Sequence, residues 1–567
     1  MQFNQTYPKP LKGLFFLFVL MVVFSHKDGY SQTTYLPFGA KENILIERME
    51  IKLGKDSVFN FSKNRPFSRK QFIPRILTID SAGFSKVDIY NRYTTIINNL
   101  EWAGVNRNEY LSRKPIGKRF YQTPATLFEV DNPDFYLAVN PVFQYVVAKE
   151  NDNEQHLFLN SRGVSLRGRI ANKIGFSAYI TDNQERDPLY VQRFVNERDA
   201  VPGAGYYKDF KDPGGLDYFD ARGYVTFGVG NVIDVVFGFD KNFIGNGHRS
   251  LFLSDFSNSA LFLKLNTRIW KFNYQNIFME LQQAKERGGD ALIPKKYAAM
   301  HHLDLAVTKW LNIGVFEGVV FGREDHFEFG YLNPVIFYRS IEQQNGSFDN
   351  AVAGIDAKAN VAKKFQFYSQ FLLDEFSLKE IKNGDGWWAN KWALQLGAKY
   401  IDAFGINNLD LQLEANRVRP FTYSHRDSIA NYTHYNQPLA HPLGANFQEW
   451  IGIARYQPAP KWMIQAKAIY YKQGQDTGSL SYGSNIFLPN VPPYRSGDYG
   501  FDLGAGVPVK TALANFLLSY ELKPNLFIEA NALYRRQRSD AAILTTKNTF
   551  VISGGIRWNM HRREFDF

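Results

Sequence analysis

The sequence predicts a transmembrane, up-and-down antiparallel β-barrel of about eighteen strands. Three observations predict it. Segments of ten to fifteen residues with alternating polarity recur over most of the chain. The connections between them alternate short and long. Aromatic residues make up 16% of the composition, with 49 Phe and 32 Tyr, and Tyr and Trp gather near the apolar ends of the segments. Outer-membrane barrels combine these features, with short turns on the periplasmic side and longer loops outside.

The stretch from Trp392 to Val418 shows the pattern at its clearest. Trp392, Leu394, Leu396, Ala398 and Tyr400 share one face of a strand, and Ala393, Gln395, Gly397 and Lys399 share the other. After a turn at Ala403-Phe404-Gly405, Leu409, Leu411 and Leu413 oppose Asp410, Gln412 and Glu414. A soluble sandwich gives the same local alternation, so its repetition decides the reading.

The chain opens with Lys9 and Lys12 before an apolar run from Leu14 to Phe24, and Gly29 and Ser31 precede Gln32. That run is too short to span a membrane and has the layout of a secretory signal, here assigned to residues 1–31. Residues 32–134 do not alternate. Segment 57–78 reads as basic and irregular, with Lys63, Arg65, Arg69, Lys70 and Arg75. Ser85 and Asp88 form a capping-box pair before Ile89, Tyr93, Ile96, Ile97 and Leu100, which keep helical spacing up to a stop at Gly104. We read 32–134 as a small, partly helical periplasmic or plug-like element and 135–567 as the barrel.

The expected strands are 135–149, 156–170, 173–183, 219–230, 231–241, 260–267, 269–282, 297–309, 311–322, 349–362, 364–376, 391–402, 406–418, 446–457, 461–473, 511–522, 525–538 and 547–560. Short turns fall near Asn172, Gly230, Asn266-Thr267, Lys309-Trp310, Lys363-Lys364, Phe404-Gly405, Pro458 to Pro460 and Lys523-Pro524. Phe550, Ile552, Ile556, Trp558 and Met560 alternate on a last strand, and an aromatic residue, Phe567, follows.

The absence of cysteine excludes disulfides, thiolate metal sites and a lipidated N-terminal cysteine. The net charge of +11 suits a polyanion. Export disfavours nucleic acid, leaving surface polysaccharide, lipopolysaccharide phosphate or a diffuse solvated charge. Lumen-facing candidates are Arg167, Arg169, Arg222, Lys264, His302, Asp304, Lys399, Asp410, Glu414, Lys467, Glu529 and Arg535. They read either as an ion-paired, plugged lumen or as a basic track for an anionic solute.

Loop 242–259 carries Gly245 and Gly247, then His248, Arg249, Ser254 and Asp255, which could gather at the barrel mouth. Ser, His and Asp invite a hydrolase reading, but the nucleophile-elbow context is missing, and no catalysis is expected. His301 and His302 point to opposite faces of a strand and cannot share a metal. Glu324, Asp325 and His326 read as a solvated strand end rather than a cation site. No metal or cofactor is expected. Tyr432, His434, Tyr435 and His441 make loop 419–445 aromatic and polar, suited to stacking sugar rings and bonding their hydroxyls. Trp387-Trp388 would do the same or anchor among lipid headgroups. His248, Arg249, Asp255, Trp387, Trp388, Tyr435 and His441 are thus the candidate polysaccharide-binding residues.

Gly245 to Asp255, the run Tyr331-Leu332-Asn333-Pro334 through Gln344 to Gly354-Ile355-Asp356, and the run from His434 to Asn446 together resemble the Wzi-type capsule assembly outer-membrane barrels. Within that family the resemblance leans to gliding-motility-associated, RemB-type members. It covers most of the chain from about residue 57. It implies an eighteen-stranded barrel with periplasmic-side helices and lectin-like handling of exported polysaccharide without catalysis. The expected partners are outer-membrane lipids, surface polysaccharide or lipopolysaccharide, and other surface or motility proteins. A channel for small solutes is the alternative.

Overall fold

The computed structural model describes residues 32–567, apart from 212, 284–291, 324–325, 336, 348, 479 and 540–545. The signal sequence assigned to 1–31 and the pair Glu324 and Asp325 lie outside the described residues.

Eighteen antiparallel strands close into a barrel. They are β1 Phe135–Glu150, β2 Leu157–Ile170, β3 Ile174–Arg186, β4 Gly215–Val229, β5 Ile233–Asp240, β6 Ala260–Ile269, β7 Phe272–Gln282, β8 Lys295–Ala306, β9 Leu311–Phe321, β10 Asn350–Val361, β11 Phe365–Glu375, β12 Lys391–Tyr400, β13 Leu409–Val418, β14 Phe447–Tyr456, β15 Trp462–Gln475, β16 Val507–Lys523, β17 Leu526–Ser539 and β18 Lys547–Trp558. β18 closes on β1, from Trp558 opposite Phe143 to Val551 opposite Glu150. Closure leaves no unpaired sheet edge facing lipid.

The alternation sets the two faces. On β13, Leu413 points to lipid with 68% of its surface exposed, while Gln412 and Glu414 beside it are buried in the lumen. Short connections such as 171–173, 230–232, 362–364 and 524–525 cluster at one end, and 187–214, 241–259, 322–349, 419–446 and 476–506 at the other. Ala171-Asn172 and Ala362-Lys363 take positive φ at both residues, the turn type whose twist matches paired strands.

One turn lies elsewhere than expected. Asn266 and Thr267 remain in β6, paired with Gln275 and Tyr274, and the chain turns at Trp270, whose φ is 51°. A polar pair facing a polar lumen imitates a turn in the sequence.

Ahead of the barrel come helices α1 Lys41–Leu53, α2 Arg69–Leu77 and α3 Lys86–Asn98, with a short helical turn at Leu100–Ala103. Ser85 and Asp88 make the expected reciprocal cap, and Gly104 ends the run with φ 61°. The segment read as irregular contains α2: its charged face hides Phe72, Ile73 and Ile76, which pack on Leu45, Ile46, Met49, Phe59 and Phe67. Ile96 and Ile97 are buried, but Ile89 and Tyr93 are exposed, contrary to the simple periodic reading.

This unit sits inside the short-turn end. Glu50 pairs with Lys358 of β10 at 2.5 Å, and Glu101 pairs with Arg167 of β2 at 2.7 Å. Lys63 reaches Asp304 of β8 at 2.9 Å and also Asp356 of β10. Asn64 and Arg65 form a two-residue ladder with Ile244 and Phe243.

That ladder places loop 241–259 within the barrel rather than at its mouth. Its Leu251, Phe252 and Leu253 join Ile277, Met300, Phe316, Tyr423 and Tyr432 in an apolar core inside the lumen. Helix α4, Leu189–Arg198, and loop 419–446 fold inward beside it. After β18 the chain also turns inward: Met560 is buried, and Phe567 packs on Tyr190, Phe194 and Phe256. The alternation therefore stops at Trp558, and neither Met560 nor Phe567 continues a lipid-facing strand.

Loop 322–349 does the opposite. Its helix α5, Tyr338–Asn345, lies on the outer wall, where Tyr331, Tyr338 and Ile341 cover Phe278, Tyr297, Val319 and Phe321. Glu317, on the same outward row of β9, accepts the backbone N–H groups of Tyr338 and Arg339 at 3.0 and 3.3 Å.

Candidate functional site

Two groups of candidates separate in space. The first lies in the lumen around loop 241–259. Glu414 of β13 accepts the backbone N–H groups of His248 and Arg249 at 2.7 and 3.1 Å, pinning the loop to the wall. Gly247 makes this approach feasible, because a Cβ there would lie 2.6 Å from a Glu414 carboxylate oxygen. The Arg249 guanidinium and the His248 ring both reach Asp566, each at 2.8 Å, and Lys467 reaches it at 2.5 Å. Burial alone would raise the Asp566 carboxyl, but Arg249, Lys467 and His248 hold it well below the usual carboxylate range.

His441 is fully buried. Its Nε2 meets Glu449 at 2.7 Å, and its ring lies on Phe447. Tyr435 is buried as well. Burial pushes the His434 imidazole down to about 4, so it is neutral at ordinary pH. The aromatic loop 419–446 is therefore interior packing, not an outward platform. Ser254 donates to the carbonyls of Ala440 and Leu439. Its hydroxyl is thus committed to backbone and His248 to Asp566, and Ser254, His248 and Asp255 form no relay. Lys241 donates to the backbone carbonyl of Asp255 at 2.8 Å.

The remaining lumen charges are held too. Arg169 approaches Asp131 at 3.7 Å and Lys399 meets Glu47 at 3.2 Å. Lys264 donates to Asn242 at 2.9 Å, and Arg535 to the Phe567 carbonyl at 3.2 Å. Each is thus engaged by the protein itself, Arg169 and Lys399 by carboxylates and Lys264 and Arg535 by an amide or carbonyl oxygen.

The second group lies at the long-loop end. Segments 376–390 and 476–506 are tied backbone to backbone: Trp388 donates to Asp498, Gly500 to Asp385 and Phe501 to Gly386, at 2.9 to 3.0 Å. Trp387 and Trp388 sit half-buried with ring centroids 6.2 Å apart. The Arg495 guanidinium covers Trp388 at 4.2 Å from its centroid. Tyr494 and Tyr499 stand exposed on the same ledge. Sequence reasoning overlooked Arg495, Tyr494 and Tyr499, although aromatics in a Gly- and Pro-rich loop carry the signal that singled out Trp387.

A family model described as capsule assembly protein Wzi matches residues 175–550. The chain belongs to that family. The structure of Wzi from Escherichia coli, described as an outer membrane protein involved in group 1 capsule assembly and a carbohydrate-binding β-barrel, aligns with a TM-score of 0.57 at 13% identity. The alignment covers 93% of this chain and 99% of that one, and at such identity shows a shared fold. OprD of Pseudomonas aeruginosa aligns at 12% identity over 74% of this chain and 94% of that one, with a TM-score of 0.41. OccAB2 of Acinetobacter baumannii gives 11%, 74%, 98% and 0.39 in the same order. Both are too distant to bear on function. Curated protein sequences give no significant match. In this Wzi-family barrel the described candidates thus divide between the barrel interior and an aromatic outer ledge.

Proposed function

We propose that this outer-membrane barrel binds cell-surface polysaccharide at its long-loop end, in capsule assembly or attachment, without catalysing a reaction. The observation that carries the reading is the ledge formed by segments 376–390 and 476–506, with Trp387, Trp388, Arg495 and Tyr499 above a lumen into which loops 241–259 and 419–446 fold. Aromatic faces stack on the apolar faces of sugar rings, and a guanidinium bonds acidic or hydroxyl groups. Wzi of Escherichia coli, whose fold the chain shares, is described as carbohydrate binding. Lipopolysaccharide is a second partner of the same chemistry. A role in gliding motility, with other surface proteins as partners, rests on the resemblance to RemB-type members alone.

The test is titration of the purified barrel in detergent with the organism's own extracted surface polysaccharide, at low and raised salt. Saturable, salt-sensitive binding that weakens in Trp387→Ala and Arg495→Gln is expected. No binding at either salt would overturn the reading. Planar-bilayer recording checks the channel alternative, and near silence is expected. Wild-type spreading by a strain lacking the gene would remove the motility link.

A further inference from the structure

Between the helical unit and the inward-folded loops the lumen keeps a chamber of about 600 Å³. Its lining carries twelve Lys and Arg side chains against seven Asp and Glu. The imbalance is sharpest where α1 meets the wall. There Glu47 faces three cations, Arg65 at 3.1 Å, Lys399 at 3.2 Å and Arg455 at 3.7 Å, while Asp410, opposite Arg455 on β13, is taken by Arg48. Arg455 has no closer polar partner among the described residues. The Nε of Arg65 is buried without a hydrogen-bond partner. Gln412 of β13 and Gln465 of β15 line the same chamber; the Gln412 amide N–H donates to the Tyr368 hydroxyl at 2.9 Å, and the Gln465 amide N–H reaches Glu564 at 3.5 Å.

A second carboxylate beside Glu47 would balance this cluster. Planar guanidinium forks suit carboxylates, and neighbouring amides suit hydroxyls. A volume of this order holds one or two sugar rings rather than a bare ion. The lining extends to the short-turn end of the barrel, where Asn98 and Asn525 of the β16–β17 turn exchange side-chain hydrogen bonds at 3.2 and 2.8 Å. We propose that the chamber is a second saccharide site, in which Arg65, Lys399 and Arg455 receive the carboxylate of a hexuronate and Gln412 and Gln465 its hydroxyls. The sugar identity rests on the carbohydrate-binding reading above; the anion cradle does not.

The test is isothermal titration of the full barrel in detergent, at low salt, with sodium glucuronate, glucose and inorganic phosphate. Saturable glucuronate binding, about tenfold or more tighter than either comparator, is expected, with a loss of about tenfold in R455Q and in K399Q. Heat-modifiable gel mobility checks that each variant is folded, and a misfolded variant is replaced by the other. Glucuronate no tighter than glucose, or unaffected by a folded variant, would overturn the site. Phosphate equal to glucuronate would overturn the sugar assignment. Surface polysaccharide titrated on the same preparation separates the two proposals. Polymer binding without glucuronate binding overturns the chamber alone, and the reverse overturns the outer ledge alone.

Discussion

Replacing Glu47 by Gln should loosen the helical unit from the barrel wall. Burial alone would raise this carboxyl, but Lys399, then Arg65 and Arg455, bring it down from 4.5 to about 2. That drop corresponds to about 3 kcal/mol of preference for the charged form in the folded protein. Its folded pKa is depressed, so the contribution is complete above about pH 4.5 and fades as pH falls towards 2. The side chain is only 16% exposed, so solvent screening removes little of it. In E47Q the three cations lose their shared carboxylate, and the population of locally undocked α1 should rise by about a hundredfold at pH 7. Amide hydrogen exchange over Lys41–Leu53 reads this directly, with β12 to β14 as an internal control. Faster exchange confined to the helical unit is expected, and the gap from wild type should shrink as pH falls below 4.5. A change of less than about threefold in α1 exchange at pH 7 would refute the electrostatic argument.

Other perturbations follow from the same geometry. Lys63→Ala would remove the ammonium shared by Asp304 and Asp356, leaving Asp304 with Asn312 and Asp356 with His302, and a destabilisation of about 3–5 kcal/mol should appear as a lower heat-modifiability midpoint. Gly247→Ala would drive a Cβ against Glu414 and Gln395, at 2.6 and 2.8 Å. It should cost about 1–3 kcal/mol and open loop 241–259 to limited proteolysis, while an uncleaved loop would contradict the close-approach reading. Trp388→Ala removes the ring beneath Arg495 and beside Phe421 and should weaken polysaccharide binding about two- to tenfold in titration, with unchanged barrel stability.

The wall was legible because lipid on one side leaves the sequence little freedom. Leu409, Leu411 and Leu413 against Asp410, Gln412 and Glu414 admit one register, since a slip of one residue would turn the charges into the membrane. Inside the barrel that pressure is absent. A loop that fills a lumen must be both apolar and polar, so Tyr432, His434 and His441 look like a solvated recognition surface when read along the chain. Helix α2 escaped notice because Arg69, Lys70, Arg75 and Pro74 outweighed the spacing of Phe72, Ile73 and Ile76. Nor does spacing announce that Arg249 will meet Asp566, 317 residues away. Barrel closure and the inward turn after Trp558 create that neighbourhood together.

The external flap of residues 322–349 changes what the annular lipids touch. Around most of the perimeter, acyl chains meet strand side chains. Over β7 to β9 they meet a connection instead, and it offers them Phe329, Val335 and Phe337, each about three-quarters exposed or more. The acidic Glu317 lies in a lipid-facing row, where a hydropathy profile scores it as a fault. Under the flap it is an anchoring point whose carboxylate is met by two backbone N–H groups. The wall of this barrel is thus two layers thick in that sector, and its width has to be measured from the flap rather than from the sheet.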